Sequence, residues 1–285
     1  MRSKVALIPE LAGHLIAGGG KRMRPMLTLA SAAHFGQIDD IVVEQGGGVD
    51  ELDRRGKRTA NLIWGNPASV LVGDFLFSRA FELMVEDGSL KVLRILSNAS
   101  AVIAEGEVDQ LTAQRQIDTS EDHYLHIINA KTAALFAAAC RISPVVAEAG
   151  EEAEQALESY GRNLGIAFQL VDDAIDYSSD EATMGKGRGD DFRDGKVTLP
   201  VILANARGSD EDRSFWKSAM QGDRIDDDDL AHATRLIQST GALADTMERA
   251  RLYARRAIDA LAPFPAGRAR SALAEAVEFT VARAY

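Results

Sequence analysis

The chain has 285 residues, 46% of them apolar, and carries 32 Lys and Arg against 43 Asp and Glu. That length can bury a large core in one big domain or two smaller ones, and a net charge of −11 disfavours a general nucleic-acid binder. The single cysteine, Cys140, excludes an internal disulfide framework; at the end of the apolar run 135–139 it reads as a packed core residue of a cytoplasmic protein. Neither a signal peptide nor an apolar span long enough to cross a bilayer is visible.

In chain order, residues 5–17 read as a short amphipathic helix ending at Gly18-Gly19-Gly20, where backbone can approach a ligand closely. Lys21, Arg22 and Arg24 follow on a turn before a second helix over roughly 26–35. Cations after a glycine turn suit a phosphate, and a solvated basic turn accounts for them equally well. Residues 37–53 are too rich in glycine for a stable helix, since Gly46, Gly47 and Gly48 together cost about 3 kcal/mol relative to alanine. The densest basic cluster comes next, Asp53-Arg54-Arg55-Gly56-Lys57-Arg58. Helices are predicted over 68–85, over 90–116 with Glu105, Glu107, Asp109 and Gln110, and over 124–140. The last carries Lys131-Thr132 among small residues, where a lone lysine either snorkels to water or meets an anion.

The stretch 167–177 is the one around which the rest is organised. Leu157, Tyr160, Leu164, Phe168, Val171 and Ile175 recur every three or four residues, the helical period. At 100° per residue Asp172 and Asp176 lie about 40° apart on one face, with Asp173 beside them. Three carboxylates at the end of an apolar run repel one another unless a cation sits between them. Mg²⁺ suits such a site, because it takes oxygen ligands, keeps several waters and is shared with substrate phosphates; a solvated acidic face is the alternative.

Residues 185–196 break the pattern as a mobile polar loop carrying Lys186 and Lys196. It is not a Walker A loop, because Val197 follows Lys196. Helix resumes over 201–206, then a polar stretch covers 208–229, whose acidic run 226–229 caps a helix N-terminus. Further helices are expected near 230–239, 242–262 and 266–284. With no strand alternation and no fixed repeat, the fold reads as all-α, a single domain over 1–285 built as a bundle of about ten or more helices.

These residues resemble a family. Gly20-Lys21-Arg22-Met23-Arg24-Pro25, Arg54-Arg55-Gly56-Lys57, Gly65-Asn66 through Gly73-Asp74-Phe75-Leu76, Lys131-Thr132, Phe168-Gln169-Leu170-Val171-Asp172-Asp173-Ala174-Ile175-Asp176 and 189–196 occur in the order expected of trans-polyprenyl diphosphate synthases. Residues 68–81 are similar to the long-chain branch, octaprenyl to decaprenyl enzymes that feed quinone side chains. The resemblance implies an all-α, isoprenoid-synthase-type bundle with a central substrate cavity, a Mg²⁺ cofactor and a homodimer with at most peripheral membrane contact for product release. It implies metal on Asp172, Asp173 and Asp176, which with Lys131 and Lys186 form the catalytic set. Arg54, Lys131, Lys186 and Lys196 would surround the allylic diphosphate, Thr132 and Gln169 would orient it, and isopentenyl diphosphate would sit on Lys21, Arg24 and Arg55.

One departure stands out. The family's first acid-rich motif, its helix and an isopentenyl-binding histidine have no counterpart; only Val49-Asp50-Glu51-Leu52-Asp53 precedes Arg54. Segments are expected to be missing near 37–52 and before residue 1. A non-catalytic partner subunit of a heteromeric synthase and a terpene cyclase remain as alternatives, the latter opposed by the two basic motifs. Small residues Ala68, Ser69, Gly73, Ala133, Ala134, Ala137 and Ala138 suit either close helix packing or an elongated apolar channel leading away from Asp172.

Overall fold

Helix after helix follows from the 3.6-residue apolar period and from residues that cap the ends. The computed structural model describes residues 5–17, 27, 53–54, 57–58, 60–178, 189–222 and 226–283. The elements are α1 (Leu7–Ala17), β1 (Asp53–Arg54), β2 (Lys57–Arg58), α2 (Ala60–Trp64), α3 (Asn66–Asp87), α4 (Leu90–Ala113), α5 (Glu121–Ile128), a π-helical turn (Asn129–Ala133) and α6 (Ala134–Val146). After these come α7 (Glu151–Asp176), α8 (Asp190–Arg193), α9 (Leu199–Arg207), α10 (Asp210–Gln221), α11 (Asp227–Ser239), α12 (Ala242–Ala260) and α13 (Arg268–Ala282). The fold is all-α; β1 and β2 form only a two-residue antiparallel ladder, Asp53 opposite Arg58 and Arg54 opposite Lys57. The helix expected at 26–35 lies outside the described residues except for Leu27, which is fully buried.

The 26-residue α7 is the axis of the bundle, packed along α6 on one side and α12 on the other. Two apolar clusters lie along it. Leu170, Val171, Ala174 and Tyr177 join Phe192, Leu199 and Trp216, while Leu157, Tyr160, Leu164 and Ala167 join Phe136, Cys140 and Val277. Glycines let the π turn and α6 approach closely: a Cβ at Gly161 would lie 2.4 Å from the Phe136 carbonyl oxygen, and one at Gly165 2.6 Å from the Ala133 Cα. Ala133 and Ala137 lie in this close contact with α7, and Ala138 packs with Met84, Val92 and Leu96. A cavity of about 400 Å³ lies elsewhere, where Ala174, Ile175 and Ser178 meet Leu243, Met247 and Arg251.

Three stretches differ from expectation. The helix expected over 124–140 begins at Glu121, where Ser120 accepts the His123 N–H, and it is interrupted by the π-helical turn carrying Lys131 and Thr132. An inserted residue of this kind turns the following side chains onto a new face and is frequent at functional sites. The polar stretch 208–229 contains a full helix, α10. A Ser209–Asp212 capping box starts it, and it buries Trp216, Ala219 and Met220 on one side while the rest stays polar. Residues 189–196, expected as a mobile loop, contain the helical turn α8, pinned by the fully buried Phe192 against Trp216 at a 5.8 Å ring separation. The acidic run does cap α11, through an Asp226–Asp229 capping box.

Candidate active site

The acidic end of α7 meets the π-helical turn, α5 and α8. Thr132 Oγ1 donates to Gln169 Oε1 at 3.0 Å, and Gln169 Nε2 donates to Asp173 Oδ1 at 2.7 Å. Tyr124 Oη donates to Asp173 Oδ2 at 2.6 Å. Gln169 and Asp173 are one turn apart on α7, so a single amide links the π turn to the carboxylate. Asp173 is buried, with each oxygen accepting one hydrogen bond. Lys131 Nζ donates to Gln110 Oε1 of α4 at 2.9 Å, and its charge also stabilises ionised Asp173.

On the next side, the Asp191 N–H donates to Asp176 Oδ2 at 3.2 Å, and the Gly189 N–H donates to the Asp176 carbonyl at 3.1 Å. Lys196 Nζ bridges Asp191 Oδ1 at 2.9 Å and Asp194 Oδ2 at 3.0 Å. On the third side, Arg283 Nη1 stands 3.7 Å from Asp172 Oδ1, and its guanidinium carbon lies 4.3 Å from the centre of the Phe168 ring.

Burial, reinforced by the Asp191 charge, pushes Asp173 and Asp176 each up to about 7. The bonds from Tyr124 and Gln169 pull Asp173 back without cancelling the rise. Burial lowers Lys196, but the Asp191 and Asp194 carboxylates outweigh it and hold the ammonium above the usual lysine range. The acids therefore carry more negative charge than their neighbours neutralise, in a setting of hard oxygen donors. That donor set fits a divalent cation. Among the described residues no three His, Cys, Asp or Glu side chains close a metal cage.

Of the sequence-predicted residues, Lys131, Thr132, Gln169, Asp172, Asp173, Asp176 and Lys196 are brought to this one end of α7. Lys21, Arg24, Arg55 and Lys186 lie outside the described residues, and Arg54 is described only as backbone of β1. Sequence reasoning assigned no role to Tyr124, Asp191 or Arg283. Asp191 had a faint signal, an acidic pair at the start of a turn, which reads equally well as a helix cap. The other two had none.

A sequence model described as polyprenyl synthetase matches residues 38–237. The chain belongs to the polyprenyl synthetase family. It is 40% identical to the octaprenyl diphosphate synthase of Escherichia coli K12 over 301 aligned positions, covering 99% of this chain and 92% of that protein. Among solved structures, a polyprenyl synthase from Caulobacter crescentus CB15, complexed with calcium and isoprenyl diphosphate, is 47% identical with a TM-score of 0.91. That match covers 100% of this chain and 92% of the other. A decaprenyl diphosphate synthase from Rhodobacter capsulatus is 44% identical with a TM-score of 0.90, covering 100% and 93% of the two chains. The polyprenyl synthetase fold thus extends over the whole chain.

Proposed function

We propose that the chain is a long-chain trans-prenyltransferase, condensing an allylic diphosphate with isopentenyl diphosphate repeatedly to give a polyprenyl diphosphate, a quinone side-chain precursor, and pyrophosphate. One observation carries this reading: the carboxylates of Asp172, Asp173, Asp176 and Asp191 gather at one helix end beside Lys131 and Lys196. In each cycle the allylic C–O bond breaks and pyrophosphate leaves with the bonding pair. The isopentenyl double bond then attacks the allylic carbon, and the resulting cation loses a proton to pyrophosphate.

Lys131 and Lys196, with Lys186 and Arg54, hold the allylic diphosphate oxygens, where negative charge grows as the bond breaks. The Thr132–Gln169 pair orients that substrate, and the Tyr124 hydroxyl favours the ionised form of Asp173 behind it. Lys21, Arg24 and Arg55 form the isopentenyl seat. Mg²⁺ held by Asp172 and Asp176, backed by Asp173, would neutralise the departing pyrophosphate, and the calcium in the Caulobacter relative supports a divalent ion here.

A homodimer is supported by α3 and α4. The 22-residue α3 buries only Val72 and Met84, while Leu71, Val85, Leu90 and Leu111 of the two helices are each more than 60% exposed. A second copy would remove this apolar surface from water. Among the described residues no helix is long and apolar enough to cross a membrane; membrane contact is peripheral in this reading, and the enzyme works in the cytoplasm. The 301 aligned positions exceed the 285 residues of the chain, so the Escherichia coli relative carries at least 16 residues with no counterpart here (301 − 285). This supports a segment missing from the chain relative to that protein.

The same gap favours a second reading, a subunit that needs a partner chain. A relative 30% identical over the whole chain is named heptaprenyl diphosphate synthase component 2, from Geobacillus stearothermophilus. Labelled isopentenyl diphosphate with farnesyl diphosphate and Mg²⁺ separates the possibilities. Elongated polyprenyl products support the synthase, turnover only with a second chain supports the subunit, and a cyclic hydrocarbon would identify a terpene cyclase.

A further inference from the structure

Arg115 sits in a backbone conformation that glycine would adopt more easily. The chain leaves α4 through a type II turn, in which the Gln116 N–H donates to the Ala113 carbonyl at 3.1 Å and Gln114 has φ −58° and ψ 132°. The third residue of such a turn needs positive φ, which suits glycine or asparagine. Here it is Arg115, at φ 64°, where its Cβ crowds the backbone. An arginine in a strained position calls for contacts that offset the strain.

Those contacts converge on the residues before Lys196. The Arg115 N–H donates to the Gly195 carbonyl at 2.8 Å, and Nη1 donates to the Gly222 carbonyl just past α10. Gly195 is buried at φ 71°, and a Cβ there would lie 2.7 Å from Arg115 Cγ, so the arginine stem lies against the Gly195 backbone. Beside it, Gln114 Nε2 donates to the Asp194 carbonyl. About one turn earlier, Gln110 Oε1 accepts from Lys131 Nζ at 2.9 Å. The end of one helix thus reaches both lysines of the proposed allylic seat, Lys131 directly and Lys196 through the two residues before it.

Lys196 is not located by its ion pairs alone. Its ammonium bridges Asp191 and Asp194, but both acids belong to the same turn and move with it. The start of that turn is tied to α7 through the Gly189 and Asp191 N–H groups, and Phe192 anchors its middle against Trp216. Its end, at the Asp194 and Gly195 carbonyls, is gripped from α4. Resting on the proposed function, we infer that Arg115 is a positioning residue for Lys196. It clamps the Gly195 peptide between α4 and the end of α10, and so fixes how far the Lys196 ammonium stands from that of Lys131 across the allylic diphosphate.

Arg115→Gly is the informative change, because it keeps the turn and the N–H bond to Gly195 while removing the stem and guanidinium. Calorimetry with farnesyl diphosphate and Mg²⁺, without isopentenyl diphosphate, reads binding in the absence of condensation, and steady-state assays give KM for each substrate. Arg115→Gly should weaken farnesyl diphosphate binding and raise its KM by about three- to tenfold, with KM for isopentenyl diphosphate unchanged, since one charge-assisted contact is misplaced rather than lost. Arg115→Lys should recover part of the loss, because a stem and a donor remain. A double-variant cycle decides the route. Added to Lys196→Ala, which removes the ammonium itself, Arg115→Gly should weaken binding by less than about twofold more. Equal losses in the two backgrounds would mean that Arg115 acts on something other than Lys196, and would overturn the inference. Unchanged farnesyl diphosphate binding would overturn it too, as would both KM values rising together with a lowered melting temperature. If the unaltered protein binds farnesyl diphosphate but condenses nothing, the proposed activity falls while the calorimetric cycle still decides Arg115; if it binds none, both fall.

Discussion

Tyr124→Phe removes one oxygen atom and one hydrogen bond from the acid cluster while keeping the ring that packs beside Ile128 and Leu170. The bond it deletes is short, 2.6 Å, and ends on a carboxylate whose burial has already raised it to about 7. Burial also pushes the Tyr124 phenol far up, so it remains a donor throughout the working range. A bond to an ionised acceptor contributes about 1.5–3 kcal/mol, whereas one to a neutral carboxyl contributes about 0.5–1.5. Removing it should therefore lift Asp173 by roughly one pH unit beyond its present value. Asp173 holds its proton more tightly folded than unfolded. Native protein thus binds more protons than unfolded protein between about pH 4 and 7, and stability falls as pH rises through that window, levelling off above it. In the variant the decline should continue to about pH 8, so the deficit is about 1 kcal/mol at pH 5 and about 1.5–3 kcal/mol at pH 9. Urea unfolding of both proteins at several pH values measures it. A deficit that does not change between pH 5 and 9 would refute the charge-assisted bond.

Mg²⁺ competes with the protons on Asp173 and Asp176, so its affinity should rise between pH 6 and 8 by roughly tenfold for each carboxylate that must ionise; calorimetric affinities that ignore pH would contradict this. Gly165→Ala places a Cβ 2.6 Å from the Ala133 Cα, backbone that cannot swing aside, and should cost about 1–3 kcal/mol or more in urea unfolding. An unchanged midpoint would show that α7 and the π turn are less tightly apposed. Asp172→Ala should lower condensation by several orders of magnitude with far-ultraviolet circular dichroism unchanged, and near-normal, still metal-dependent turnover would remove Asp172 from the metal site. Ser209→Ala should cost α10 about 1 kcal/mol through the lost cap, and no change in stability would mean that the capping box contributes nothing.

Local chemistry carried much of this protein on the surface of its sequence. The 3.6-residue period of Leu157, Tyr160, Leu164, Phe168 and Val171 made α7 readable, and the spacing of Asp172 and Asp176 put its acids on one face, because helix geometry depends only on neighbours along the chain. The cap at Asp226 was readable for the same reason. Tertiary structure decided the rest. In α10, polar residues outnumber the three that are buried, so its helical nature became plain only once Trp216 had Phe192 to pack against. The π turn at Lys131 has no signature in residue type; it lies where Ala133 meets Gly165 of α7. Tyr124 meets Asp173 across 49 positions, and Arg283 reaches Asp172 from the last helix. Such partners are set by how helices stack, and a single sequence records the helices without recording their stacking.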